Sequence, residues 1–268
     1  MDFCSIQLRE GQNMTLHELD LYFNSFLKKE EFLSDPSRNG IQIANSAPES
    51  KQITKVAFAV DACEATARQA AQAGAQLLFV HHGLFWGGCD TITGIHYKRI
   101  KAFLENDLAL YASHIPLDAN AEVGNNYGIA ARLGLQDVKP FGSWRGMTLG
   151  AMGTLPAPVT IDELERKLFP DGERAAHILP FGKKEIRTVA IISGGAGEDF
   201  AEAVEADADV YITGEISHED FHPIEESGIN VIAGGHYQTE TVGVNLVRAK
   251  LEKECGLETV FIDLPTRL

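Results

Sequence analysis

The sequence is short of positive charge: 23 lysines and arginines stand against 38 aspartates and glutamates in 268 residues, a formal net charge of −15 with histidine neutral. Phosphate backbones and anionic lipid headgroups carry the same sign, so the composition argues against nucleic-acid or membrane-surface binding and for a self-repelling, soluble chain. The basic pairs Lys28-Lys29 and Lys183-Lys184 are short and far apart, as expected of solvated faces. Cysteine is scarce too. Cys4, Cys63, Cys89 and Cys255 are scattered without a CxxC spacing, which argues against a zinc ribbon and a disulfide framework and suits a reducing compartment. No apolar run approaches the roughly 20 residues that cross a bilayer, and the N-terminus has neither a basic segment nor a hydrophobic one. A cytoplasmic protein is expected. Short-period repeats and low-complexity segments are also missing.

What is present is ordinary globular material: 44% hydrophobic and 23% charged residues can bury a core without staples. The length suits two modest lobes. Thr15 and Glu18 form a capping box that opens a helix, and Leu16, Leu19, Phe23 and Leu27 repeat at helical spacing behind it. The residues before Met14 are polar and aperiodic, a loose arm or an extended start. From Lys55 the chain alternates strand and helix: strands at 56–60, 76–80 and 108–112, helices at 63–73, 96–106 and 122–133. The turn-rich Lys139-Pro140-Phe141-Gly142-Ser143 is read as the boundary between lobes. Beyond it, strands are expected at 147–155, 177–180, 187–192, 210–213, 230–233 and 260–262. Helices are expected at 161–169, 200–206, 221–227 and 239–254. The expected class is α/β, with two three-layer lobes whose mixed, mostly parallel sheets flank a shared metal-binding cleft. Residues 1–140 form the first lobe, completed by 235–268, and 141–234 form the second.

Three clusters at strand ends carry the chemistry. His81-His82 follows the buried run Leu77-Leu78-Phe79-Val80, where open α/β sheets bind ligands. A turn into Gly83 can let both rings converge, although a packed histidine pair explains the same residues. His114 and Asp118 follow the strand at 108–112, and the mixture of imidazole and carboxylate suits Mn, Fe, Co, Ni or Zn. A helix cap is the plainer role for that Asp. His236 and Glu240, after Gly234-Gly235, are four residues apart, so both fall on one helical face. A surface pair is the plainer account there. Together the clusters favour a metal centre of His81, His82, Asp118, His236 and Glu240, with Glu240 as the bridge.

Weaker signals remain. Gly194-Gly195-Ala196-Gly197 could present amides to a phosphate, but it lacks the residues of a P-loop and suits a plain tight turn better. In Gly214-Glu215-Ile216-Ser217-His218, Glu215 and His218 are candidate proton carriers, and Ser217 a candidate cap. His96, His177 and His222 are read as structural or surface residues.

With these motifs in order, the chain resembles the NIF-three-like dinuclear metal family, also called GTP cyclohydrolase 1 type 2 homologues. The likeness runs from Asn39-Gly40-Ile41-Gln42 through Asp61, HHGLFW at 81–86 and SHIPLDA at 113–119 to GEISH at 214–218 and GGHYQTE at 234–240. The resemblance implies two similar α/β lobes, two divalent metal ions on the five residues named, and a ring-shaped homohexamer. The chain departs from the pattern in its N-terminal extension and in lacking the middle insertion of longer members. Two functions are expected. One is a metal-dependent hydrolase, cyclohydrolase-like, on a small molecule or purine nucleotide, with His114 or His218 moving a proton. The other is a non-enzymatic metal-binding or regulatory protein.

Overall fold

The computed structural model describes residues 13–88, 90–266 and 268. The first twelve residues, with Cys4, and also Cys89 lie outside the described residues. In chain order the regular elements are α1 (Leu16–Leu27), β1 (Gly40–Ile43), β2 (Lys55–Asp61), α2 (Glu64–Gln72), β3 (Leu77–His82), α3 (Gly94–Leu104), β4 (Ala109–Ala112), α4 (Ile115–Asp118), α5 (Asn125–Leu133) and β5 (Gln136–Trp144). They continue with β6 (Met147–Val159), α6 (Ile161–Leu168), β7 (His177–Pro180), β8 (Ile186–Ile192), α7 (Phe200–Glu205), β9 (Val210–Thr213), α8 (Phe221–Ser227), β10 (Asn230–Ala233), α9 (His236–Cys255) and β11 (Glu258–Phe261).

The chain divides into two compact units. The first holds the described residues through Lys29, Pro36–His114 and Asn245–Leu264, and the second holds Glu30–Asp35, Ile115–Val244 and Pro265–Leu268. The division falls after His114, not at 139–143. Those turn-forming residues lie inside β5, where Pro140 is tolerated because β5 is the edge strand of its sheet and Gly142 adopts φ +74°. α4 and α5, expected in the first lobe, therefore belong to the second unit.

The first unit is a five-stranded sheet of order β1-β4-β3-β2-β11, parallel except for the antiparallel β1–β4 pair. Its inner strands are apolar runs because both faces are covered. Leu78, Val80, Ala57, Ala59 and Leu110 pack on one face with Ala67 and Ala70 of α2 and Ile100 and Phe103 of α3. The alternate residues Phe58, Phe79 and Tyr111 form an aromatic cluster on the other face, capped by Phe23 of α1. The Thr15–Glu18 capping box starts α1 as its sequence predicts, with Thr15 N–H donating to Glu18 Oε2 at 2.8 Å. β1 is a short strand that the sequence did not reveal. Gly40, Ile41 and Ile43 pair with Ala112, Tyr111 and Leu110 of β4, and a register irregularity interrupts the ladder between Ile41 and Ile43.

The second unit is a six-stranded sheet of order β5-β6-β8-β9-β10-β7. It is mixed, as expected, but parallel pairing is confined to β8–β9 and β9–β10; the other ladders are antiparallel. Leu149, Ala190, Ile192, Tyr211 and Val231 pack with Phe200, Ala203 and Ile224 of α7 and α8. α5 packs on β6 and β8 beside α6. Among the described residues, no helix is long and apolar enough to cross a membrane.

Candidate metal centre

In the first unit, parallel strands β3 and β4 end side by side and bring three imidazoles together. The candidate ligand atoms of His81, His82 and His114 lie within 4.8 Å of one another. His81 and His82 are the last two residues of β3 itself rather than residues beyond it, yet their ring centroids are 4.6 Å apart. His81 is fully buried. Its Nδ1 lies 2.9 Å from the carbonyl oxygen of Ser113. A carbonyl only accepts, so Nδ1 carries the proton and the lone pair is on Nε2. His82 follows the same rule: its Nδ1 is 2.9 Å from Oδ1 of Asp61, its register partner on β2. His114 stands edge-on to Trp86, with centroids 4.9 Å apart, and its N–H donates to Asn39 Oδ1 at 2.8 Å. Expected as a proton carrier, it shares the cluster of His81 and His82.

The motif at 39–42 gains a physical explanation. Besides the Asn39 contact, Gln42 Oε1 accepts from Leu84 N–H at 2.7 Å and Phe85 N–H at 3.2 Å, which shapes the loop after His82. A Cβ on Gly83 would meet the Gln42 amide at 2.3 Å. A side chain at 83 would push that amide away from its two contacts.

In the second unit, α9 begins at His236, so His236 and Glu240 occupy its first turns. His236 Nε2 is 3.2 Å from Glu240 Oε1, and His236 Nδ1 is 2.6 Å from Glu215 Oε1. Glu240 is buried, and one of its oxygens lies within 4.8 Å of a carboxylate oxygen of Asp118. Glu240 thus stands between an imidazole and a second carboxylate. Burial of His236 opposes its charged form, but Glu240 and then Glu215 outweigh it and raise its pKa from 6.5 to about 9. Without a metal, a proton supplies the cation between the two carboxylates.

The glycine loop serves this cluster rather than a phosphate. Gly194 has φ +70°, and a Cβ there would meet Glu240 Oε1 at 2.3 Å. A Cβ on Gly195 would come within 3.0 Å of Glu215 Oε1, and one on Gly197 within 2.7 Å of Asp220 Oδ2. A loop that receives three carboxylates this closely repels an anion. Glu215, a candidate proton carrier, pairs with the His236 ring, while His218 is exposed on a 3₁₀ turn at His218–Asp220. Ser217 caps that turn, its N–H donating to Asp220 Oδ2 at 2.7 Å. The residues that sequence reasoning missed are the second-unit polar groups around Asp118: Asn125, Asn126 and Ser193.

The donor chemistry fits a divalent cation. Imidazoles with a committed Nδ1 and buried carboxylates suit first-row metals, and the acceptors behind His81, His82 and His236 match the outer shell of known metal sites.

The fold and these donor groups define a mixed α/β protein with candidate metal-ligand clusters of His, Asp and Glu. The sequence matches the family Duf34/NIF3 (NGG1p interacting factor 3) over residues 14–267, and the chain belongs to that family. A relative from Treponema pallidum (strain Nichols), "GTP cyclohydrolase 1 type 2 homolog", is 46% identical over 94% of this chain and 99% of its own. A protein of the same name from Archaeoglobus fulgidus is 40% identical over 95% of this chain and 100% of its own. The crystal structure of TTHA1606 from Thermus thermophilus superposes with a TM-score of 0.86 at 37% identity, covering 95% of this chain and 100% of that one.

Proposed function

We propose that this chain is a dinuclear divalent-metal protein acting as a hydrolase on a small molecule or nucleotide, with His81, His82, Asp118, His236 and Glu240 as ligands and Glu240 shared between the two ions. The observation that carries this reading is the agreement of three imidazoles. His81, His82 and His236 each commit Nδ1 to an oxygen acceptor, which leaves Nε2 as the nitrogen that would face a metal ion. Packing alone does not require the three to agree.

Mn, Fe, Co, Ni and Zn all suit this donor set. Bound divalent ions supply Lewis acidity and lower the pKa of a water enough to make it a nucleophile near neutral pH. Asp61 and Glu215 hold two of the rings, and Ser113 holds the third. His114, steadied by Trp86, is the proton carrier beside His81 and His82, and exposed His218 is a second carrier. The name shared by the relatives, GTP cyclohydrolase 1 type 2 homolog, supports a cyclohydrolase-like reaction on a purine nucleotide.

The test is metal analysis of protein purified without added metal, followed by assay of the loaded protein on GTP, phosphoesters and cyclic amides. Two bound ions per chain and turnover abolished in Glu240→Gln support the reading. Two ions with no turnover on the whole panel would leave the non-enzymatic metal-binding protein as the correct account. Fewer than two ions per chain after full loading would remove the dinuclear assignment.

The family resemblance further supports a cytoplasmic, ring-shaped homohexamer. Ile92, Ile95, Tyr97 and Leu104 on and before α3 are exposed apolar side chains of the kind that oligomer interfaces cover. Sedimentation velocity tests this assembly, and a single monomer boundary at micromolar concentration counts against it.

A further inference from the structure

Asn125 and Asn126 are consecutive, fully buried residues at the start of α5. Two uncharged amides in the interior need partners, and each finds one on Asp118, Asn125 at the carboxylate and Asn126 at the main chain. Asn125 Nδ2 donates to Asp118 Oδ1 at 2.8 Å, and Ser193 Oγ donates to the same oxygen at 3.1 Å. Asn126 Nδ2 donates to the main-chain oxygens of Asp118 at 3.3 Å and Leu149 at 2.7 Å. Its Oδ1 accepts from Ser193 N–H at 2.7 Å.

The far side of Asn125 reaches another element. Its Oδ1 accepts from Gly243 N–H at 2.7 Å, on the helix that carries His236 and Glu240. A backbone N–H only donates and a carboxylate only accepts, so the amide has one allowed orientation. A Cβ at Gly243 would stand 2.7 Å from that Oδ1 and 3.0 Å from Leu117 Cγ, so a side chain there would force the buried amide to shift. One amide therefore spans from the α4 carboxylate to the α9 backbone, one helical turn beyond Glu240. Gly124 lets it sit so deep: a Cβ at 124 would be 2.2 Å from the main-chain oxygen of Asn120.

We infer that Asn125 is a positioning residue for the metal centre: with Ser193 it holds Asp118 Oδ1, and through Gly243 it ties that carboxylate to the helix that carries Glu240. The inference rests on the metal reading above and deepens it by naming what fixes the orientation of Asp118. Two protein donors on one oxygen hold the carboxylate in one orientation. Removing the amide lets Asp118 rotate, and both affinity and coordination geometry change.

The test uses full-length protein stripped with a chelator and titrated with Co(II), whose visible ligand-field spectrum reports coordination number and geometry. Asn125→Leu removes the amide at near-constant volume, Asn125→Asp keeps the acceptor for Gly243 but replaces the donor with a charge facing Asp118, and Ser193→Ala removes only the second donor. Outer-shell changes typically weaken a metal by about 10- to 100-fold. That loss is expected for Asn125→Leu and Asn125→Asp, with a smaller one for Ser193→Ala. In all three the Co(II) spectrum should shift while the far-UV circular dichroism of the stripped protein matches wild type. Folded variants with wild-type affinity and spectrum overturn the role of Asn125. If the Asn125 variants do not fold, Ser193→Ala decides: an unchanged spectrum overturns the inference and a changed one supports it. Wild-type protein that binds no Co(II) fails the metal reading itself, and this inference with it.

Discussion

Glu215 Oε1 lies 2.6 Å from His236 Nδ1, closer than the 3.2 Å between Glu240 Oε1 and the other nitrogen of that ring. The loop after β9 thus reaches the start of α9 and decides which imidazole nitrogen faces Glu240. Glu215→Gln keeps the shape and loses the charge. Its metal affinity is expected to fall about 10- to 100-fold, as for other carboxylates behind a ligating imidazole, with little change in thermal stability of the stripped protein. Calorimetric metal titration of the two proteins checks this, and equal affinities would leave Glu215 without the orienting role.

The same pair sets a pH dependence. In the metal-free protein the His236 pKa is raised from 6.5 to about 9; burial opposes the charge, and Glu240 and Glu215 overcome it. A group raised in the folded state stabilises fully below its unfolded pKa and loses that contribution as pH rises through the folded value. The metal-free melting temperature is therefore expected to fall between pH 6.5 and about 9. His236→Gln should lack that component. Melting curves across this range, with NMR titration of the ring, test it.

Asp199 offers the opposite charge type in the second unit. Burial, then Glu202 and Glu198, raise its pKa from 3.8 to about 6. Its contribution is present below the unfolded pKa and lost as pH rises through about 6, so at neutral pH the ionised side chain costs stability. The side chain is partly solvated, which discounts the shift to on the order of 1 kcal/mol. Asp199→Asn is expected to stabilise by about that amount at roughly pH 8 and by much less at about pH 4, read from urea midpoints.

Gly194→Ala is expected to be costly for two reasons that add. The residue sits at φ +70°, and its Cβ would be 2.3 Å from Glu240 Oε1. The backbone strain alone is about 1–3 kcal/mol, and displacement of Glu240 should also lower metal uptake. A variant with wild-type melting temperature and metal content would show that the loop tolerates a side chain there.

In the first unit, Phe79 is fully buried and touches Phe23, Phe58 and Tyr111. Phe79→Ala should destabilise by about 3–5 kcal/mol through lost transfer energy and the cavity left behind. A urea midpoint shift without a change in slope is the expected signature.

Much of this architecture was legible in the sequence because it depends on local periodicity. The capping box at Thr15 and Glu18, the apolar runs of β2, β3 and β4, and the strands at 210–213 and 230–233 are where their residues predict. So were the candidate ligands, since strand ends in α/β sheets collect functional side chains. What local pattern could not decide was placement. Pro140 and Gly142 have the chemistry of a turn, yet the hairpin with β6 turns at Arg145-Gly146 instead and draws them into an edge strand. β1 is too short to show a period and exists through its partner β4.

The outer groups of the candidate site are the clearest division between sequence and structure. Histidine and carboxylate mark candidate donors by residue type, and the family is legible in the sequence alone. Asn125, Ser193 and Gly243 carry no such mark, and along the chain Ser193 is 75 residues from Asp118 and Gly243 is 118 residues from Asn125. Tertiary structure alone decided that they meet Asp118 and α9. The physical reason is that a buried amide must find complementary donors and acceptors, and only the packed interior specifies which ones are within about 3 Å.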